Sequence, residues 1–184
     1  MGLGISYIQD VLVRLEELKK LAEGAIAQIE PDQLFHTWDD ETNSIAITMK
    51  HLSGNMRSRW RDFLTTDGEK PDRNRDSEFV VATNDNPETL FQRWHEGWKY
   101  LFEALGSLSA EDLNRTVVIR NEPHTVYQAI NRQLIHYGVH VGQIVFMAKH
   151  LAAAHWKSLS VPRGKSQTFN RARGLADTPP QESS

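Results

Sequence analysis

The feature that most limits the fold is a repeated apolar spacing. Ile8, Val11, Leu15, Leu18, Ala22, Ala25 and Ile29 step by 3, 4, 3, 4, 3 and 4 positions, the stripe of a helix that buries one side. Arg14, Glu16, Glu17, Lys19, Lys20 and Glu23 take the other positions, and Pro31 stops the helix. Three more segments read as helices. One covers about Ile45 to Leu64, one starts at Asn86-Pro87-Glu88 and ends near Gly106, and one covers about Thr125 to Ala154. Before the last of them, TVVIR, NEP and HTV form a small extended or hairpin excursion, too short for a core sheet. This order predicts an all-α, up-down four-helix bundle over residues 1–156. Residues 157–184 read as a basic tail, with SVPRGKSQTFN as a loop and NRARGLADTPPQESS as a partly disordered end.

Composition then removes whole classes of chemistry. There is no cysteine, so disulfides, thiolate metal sites and cysteine nucleophiles are excluded. The net charge of −3 hides an uneven split. Residues 1–122 carry 14 basic and 22 acidic side chains, whereas residues 123–176 carry seven basic ones and no Asp or Glu. The last helix therefore has no carboxylate to offer a metal or a proton. No Gly-rich phosphate loop or nucleophile elbow is present. In MRSRWRDFL and EKPDRNRDSEF the basic residues alternate with acids, which reads as a salt-bridged surface, and no nucleic-acid partner is expected. No window approaches 18 apolar residues and no basic leader precedes an apolar run, so a soluble cytoplasmic chain without a membrane span is expected.

Eight histidines are left as metal or acid–base candidates. His136 and His140 leave one face of the last helix a turn apart. They share a stripe with Ala129, Gln133, Gln143 and Met147, beside Ile130, Tyr137, Val141, Ile144 and Ala148. The pair thus borders the interior, either as hydrogen-bonded core histidines or as two ligands. His51, near the start of the second helix on a stripe with Gly54, Asn55 and Ser58, is the candidate third ligand. Three neutral imidazoles with an open fourth position suit zinc, nickel or a similar divalent ion. The others are poorer candidates. His95 in WHEGW lacks the partner at Lys99, His150 and His155 point apart, and His36 and His124 lie in expected loops. Asn55, one turn after His51, and Gln143, near His140, are candidates to orient a ligand or substrate by hydrogen bonds, while Arg57, Arg59 and Trp60 read as helix-surface contacts.

The sequence resembles the DinB-like (DinB/YfiT) superfamily of bacterial metal-binding four-helix bundles. The resemblance rests on KHLSGN opening the second helix, HYGVHVGQI in the last, and the bundle pattern over about residues 5–155. KHLSGNMRSRWRDFLTTDGEKPDRNRDSEF and VPRGKSQTFN look like an uncharacterised bacterial subgroup of it. The resemblance implies a metal on His51, His136 and His140, and a homodimer. It also implies kinship with thiol-dependent transferases and isomerases. Two functions follow as expectations. One is a metal-dependent thiol transferase or hydrolase acting on a small anionic or thiol substrate. The other is a non-catalytic, metal-stabilised dimeric stress-response or interaction protein.

Overall fold

The computed structural model describes residues 2–175. Helix α1, Leu3–Ile26, buries Ile8, Val11, Leu15, Ala22, Ala25 and Ile26. It stops short of Pro31 because proline needs an extended residue before it, and Glu30 is extended at φ −73°, ψ 148°. Helix α2, Ile45–Trp60, is capped by Ser44, whose hydroxyl oxygen accepts the Ile47 amide. Of its residues only Gly54 and Arg57 escape burial, so α2 is enclosed on almost every side. It ends four residues before the expected Leu64, where Arg61 is extended and Asp62 has φ 49°.

Helix α3, Pro87–Gly106, starts as expected at an Asn86 cap and buries Leu90, Trp94, Trp98, Leu101 and Leu105. Strands β1, Thr116–Ile119, and β2, Glu122–Thr125, pair antiparallel. Arg120 and Asn121 turn between them at φ 54° and 62°, the left-handed pair that a tight two-residue hairpin requires. Both of their amides donate to Asp67, which pins the hairpin to the loop after α2. Helix α4, Val126–Ala152, follows at once with a Thr125–Gln128 capping box. Helix α5, Ser166–Ala172, spans the end of the segment expected to be a loop and the first residues of the one expected to be disordered. It buries none of its residues, so no apolar stripe announced it. Residues 176–184, which hold most of the segment expected to be disordered, lie outside the described residues.

The chain is mostly helical. The long helices form a ring in which α1 touches α4, α4 touches α2, α2 touches α3 and α3 touches α1. Their directions follow from the contacts. Tyr7 bonds Asn131 near the start of α4, and Gln28 after α1 bonds Lys157 after α4, so these helices are parallel. Gly4 lies against Ala110 while Glu23 accepts from Trp94, so α3 runs opposite to α1. Lys50 reaches Asp85 at the start of α3, and Gly97 lies on Ser53 and Met56, so α2 and α3 are parallel. The strict up-down alternation expected from sequence is therefore not met, because residues 61–86 carry the chain back along the molecule before α3 begins. As a result α2 faces α4 antiparallel. No helix among the described residues is long and apolar enough to cross a membrane.

Candidate metal centre

Where α2 crosses α4, three imidazoles meet. The His51 ring lies 5.2 Å from that of His136 and 4.9 Å from that of His140, which are 4.6 Å from each other. One ligand nitrogen from each lies within 4.8 Å of the other two. This is the group of three His, Cys, Asp or Glu side chains that could hold an ion among the described residues. The helices explain it: His51 sits on a buried face of α2, while one helical turn stacks His136 and His140 on the opposing face of α4.

Hydrogen bonds set which nitrogen of each ring is free. The Nδ1 of His51 is 2.9 Å from a Glu78 carboxylate oxygen. An ionised carboxylate only accepts, so the Nδ1–H donates to it and Nε2 is the ring nitrogen left out of this bond. The Nδ1 of His140 is 2.7 Å from the Gln143 carbonyl oxygen, with the same consequence for its Nε2. The Nε2 of His136 is buried without any partner. Burial first, then the adjacent His140 and His51 and the cations Arg73 and Arg59, push His136 down to about 3. Burial also lowers His140, against the Gln143 bond. These two rings are neutral at ordinary pH, the form in which imidazole binds a metal.

Behind His51 lies an ion-pair chain. Arg73 donates through Nε and Nη2 to the two oxygens of Glu78, at 2.8 and 2.9 Å, and through Nη1 to Glu69 at 3.2 Å. Burial alone would raise Glu78, but the bonds from His51 and Arg73 outweigh it and hold the carboxyl below its usual range. Phe79 lies against His51 with ring centres 5.0 Å apart.

Several expectations need adjustment. The segment EKPDRNRDSEF is not all surface, since the Arg73 and Glu78 side chains are 5% and 9% exposed. Gly54, a turn after His51, was the available signal. A Cβ there would lie 2.2 Å from Glu78 Oε1, and glycine within a helix often marks such a close approach. Arg59 and Trp60 are buried rather than on the helix surface, whereas Arg57 is exposed and pairs with Asp72. Gln143 does contact a cluster histidine. Asn55 lies one layer below, accepting from the Tyr137 hydroxyl, which in turn accepts from Trp60 Nε1. His95 is near Glu23, His36 and His150 flank Trp38, His124 is half-buried in β2 rather than in the expected loop, and His155 is exposed.

A family described as "Protein of unknown function (DUF1572)" matches residues 2–165. The chain belongs to this family. DUF1572 is a DinB-like family, so the resemblance carried by KHLSGN and HYGVHVGQI holds at that level. In this DUF1572 chain both motifs supply the clustered histidines. No curated protein matches the chain.

Proposed function

We propose that this DUF1572 protein binds one divalent ion, zinc or nickel, through His51, His136 and His140, and uses it as a metal-dependent thiol transferase or hydrolase. The observation that carries the reading is the buried, partnerless Nε2 of His136, set between two imidazoles whose other nitrogens are already engaged. Isolated, such an atom costs about 1–3 kcal/mol. A bound ion converts that cost into a bond. When bound, it would supply a Lewis-acid position that lowers the pKa of a water or thiol ligand.

The chain's own residues do the rest. Glu78 and Gln143 hold two imidazoles by their Nδ1–H groups, the outer support that metal-binding histidines ordinarily have. Arg73 keeps Glu78 ionised. Because the chain has no cysteine, any reacting thiol comes from a cosubstrate, and the acid-free stretch 123–176 suits an anionic one. The test is turnover of a thiol and an electrophile by metal-loaded protein. His51→Ala abolishes it, and full activity after complete metal removal overturns the enzymatic reading.

A second reading is a metal-stabilised homodimer without turnover. On α4, Ile135, Val139 and Phe146 are exposed by 69, 56 and 73%, along one stripe with Gly138 and Gly142, which face open space. Such a face suits close helix–helix contact between two copies. Light scattering tests it: the chain elutes as a dimer, Phe146→Asp shifts it to monomer, and a monomeric parent excludes the dimer.

A further inference from the structure

Helix α2 has one window to solvent. Gly54 and Arg57 are its two residues that escape burial, and both line a cavity of about 670 Å3 between α2, α3 and the returning segment 61–86. Protein interiors are ordinarily close-packed, and a hollow of this size has room for a whole small molecule. Its wall is polar. The lining residues without a polar side chain are Gly54, Ala82 and Gly97, and no aromatic ring lines it among the described residues. A flat apolar ligand has nothing to stack on there, whereas a small, charged, hydrogen-bonding one meets partners on every side.

The charges in that wall follow a pattern. Near the start of α3, Asp85 accepts from buried Lys50 and from the Ala82 amide through Oδ2, and from Arg93 through Oδ1. Lys50 already balances Asp85, so Arg93, 42% exposed, is a surplus cation. Seven residues along α2 from Lys50, or about 10 Å, lies Arg57. Its partner Asp72 is gripped by Arg61 through both oxygens and reaches Arg57 only by a long 3.3 Å bond. Arg57, 54% exposed, is thus a second surplus cation. Each of the two spends one N–H on its carboxylate and leaves most of its planar fork open. One turn after Arg93 on α3, Glu96 also lines the cavity, and it pairs with no cation among the described residues. Arg73 and Glu78 cancel within the wall. Five cations against four carboxylates leave the wall a net charge of +1.

We infer that this cavity binds a small α-amino dicarboxylate of the glutamate type. Its α-carboxylate takes Arg93, its ammonium takes Glu96 one turn away, and its far carboxylate takes Arg57. Planar carboxylates suit the guanidinium forks. A simple dicarboxylate brings two negative charges against an unpaired Glu96, whereas the amino dicarboxylate, with one net negative charge, matches the wall. No histidine lines the cavity. It meets the metal centre only through the far side of Glu78, so the site does not depend on the metal reading.

The test is isothermal titration calorimetry of the full-length protein with sodium L-glutamate, at ionic strength held constant with sodium chloride. Glutamate binds saturably, with a Kd on the order of 1 mM. Glutarate, which lacks the ammonium, and glutamine, which lacks the far charge, each bind about fivefold more weakly, the worth of one hydrogen bond. Arg57→Gln, which leaves Asp72 to Arg61, weakens glutamate to the level of glutamine. Glu96→Gln removes the preference for glutamate over glutarate, and melting curves show both variants folded. The affinity is the same before and after treatment with a chelator. The inference is overturned if no saturable heat appears up to roughly 50 mM glutamate, or if glutarate or either variant matches glutamate on the parent. It is equally overturned if binding requires the metal, which places glutamate on the histidines.

Discussion

Glu78→Gln changes one charge and almost no shape, which makes it the sharpest probe of how His51 is held. The native carboxylate accepts three N–H groups, one from His51 and two from Arg73. An amide in the same place has one accepting oxygen, and its NH2 must face either the His51 Nδ1–H or an Arg73 N–H. One buried donor is thereby left unmatched, at about 1–3 kcal/mol. Losing a whole buried ion pair costs about 3–5 kcal/mol, but Arg73 keeps Glu69, so the metal-free protein loses about 2 kcal/mol. For a chain of this size that lowers Tm by roughly 4–8 °C. Metal affinity falls about 10–100-fold, as for other supports of a ligating histidine, or about 1.4–2.8 kcal/mol. Competition against a chromophoric chelator measures the affinity, and denaturant melts of metal-free protein measure the stability. Asp72→Asn, which breaks only the exposed pairs with Arg57 and Arg61, serves as the control. Metal affinity unchanged in Glu78→Gln would show that Glu78 does not support the site.

Three more outcomes follow from the same geometry. Gly54→Ala places a methyl group 2.2 Å from Glu78 Oε1; chelator competition shows metal affinity at least tenfold weaker, although alanine is ordinarily the better helix residue by about 1 kcal/mol. Tyr137→Phe strands Trp60 Nε1 and Asn55 Oδ1 in a fully buried layer, so scanning calorimetry shows a Tm loss of roughly 5–12 °C, with metal affinity within about threefold of the parent. In the metal-free protein His136 titrates near 3 when folded and near 6.5 when unfolded. Its contribution to stability is therefore present above pH 6.5 and lost as the pH falls toward 3. Denaturant midpoints record that loss between pH 7 and 4, and His136→Gln flattens it by roughly 2–4 kcal/mol after allowing for the ring's partial exposure.

How much of this the sequence revealed depends on periodicity. The 3,4 stepping of α1, the Asn86-Pro87 start of α3 and the His136–His140 spacing are local patterns, and each reappears in the structure. His51 could be placed because a helical wheel puts it on one stripe with Gly54, Asn55 and Ser58. Glu78 and Arg73 could not, because they come from a loop where no period says which side chain points inward. Arg59 and Trp60 were misread for a related reason. Helix α2 is enclosed on nearly all sides, and its polar groups bond inward instead of facing water, Asn55 to the Tyr137 hydroxyl and Ser58 to the Gly68 carbonyl. The helix directions were hidden in the connection 61–86. It is long enough to retrace α2, whose 16 residues span about 24 Å at about 1.5 Å per residue.

The central claim is that His51, His136 and His140 form one metal site. Its most direct test is the metal content of the purified protein after equilibration with zinc or nickel and removal of free ion. The account requires one ion per chain in the parent and less than one per several chains in His51→Ala, His136→Ala and His140→Ala. A parent that retains no ion, or a triple-alanine variant that retains as much as the parent, would contradict it.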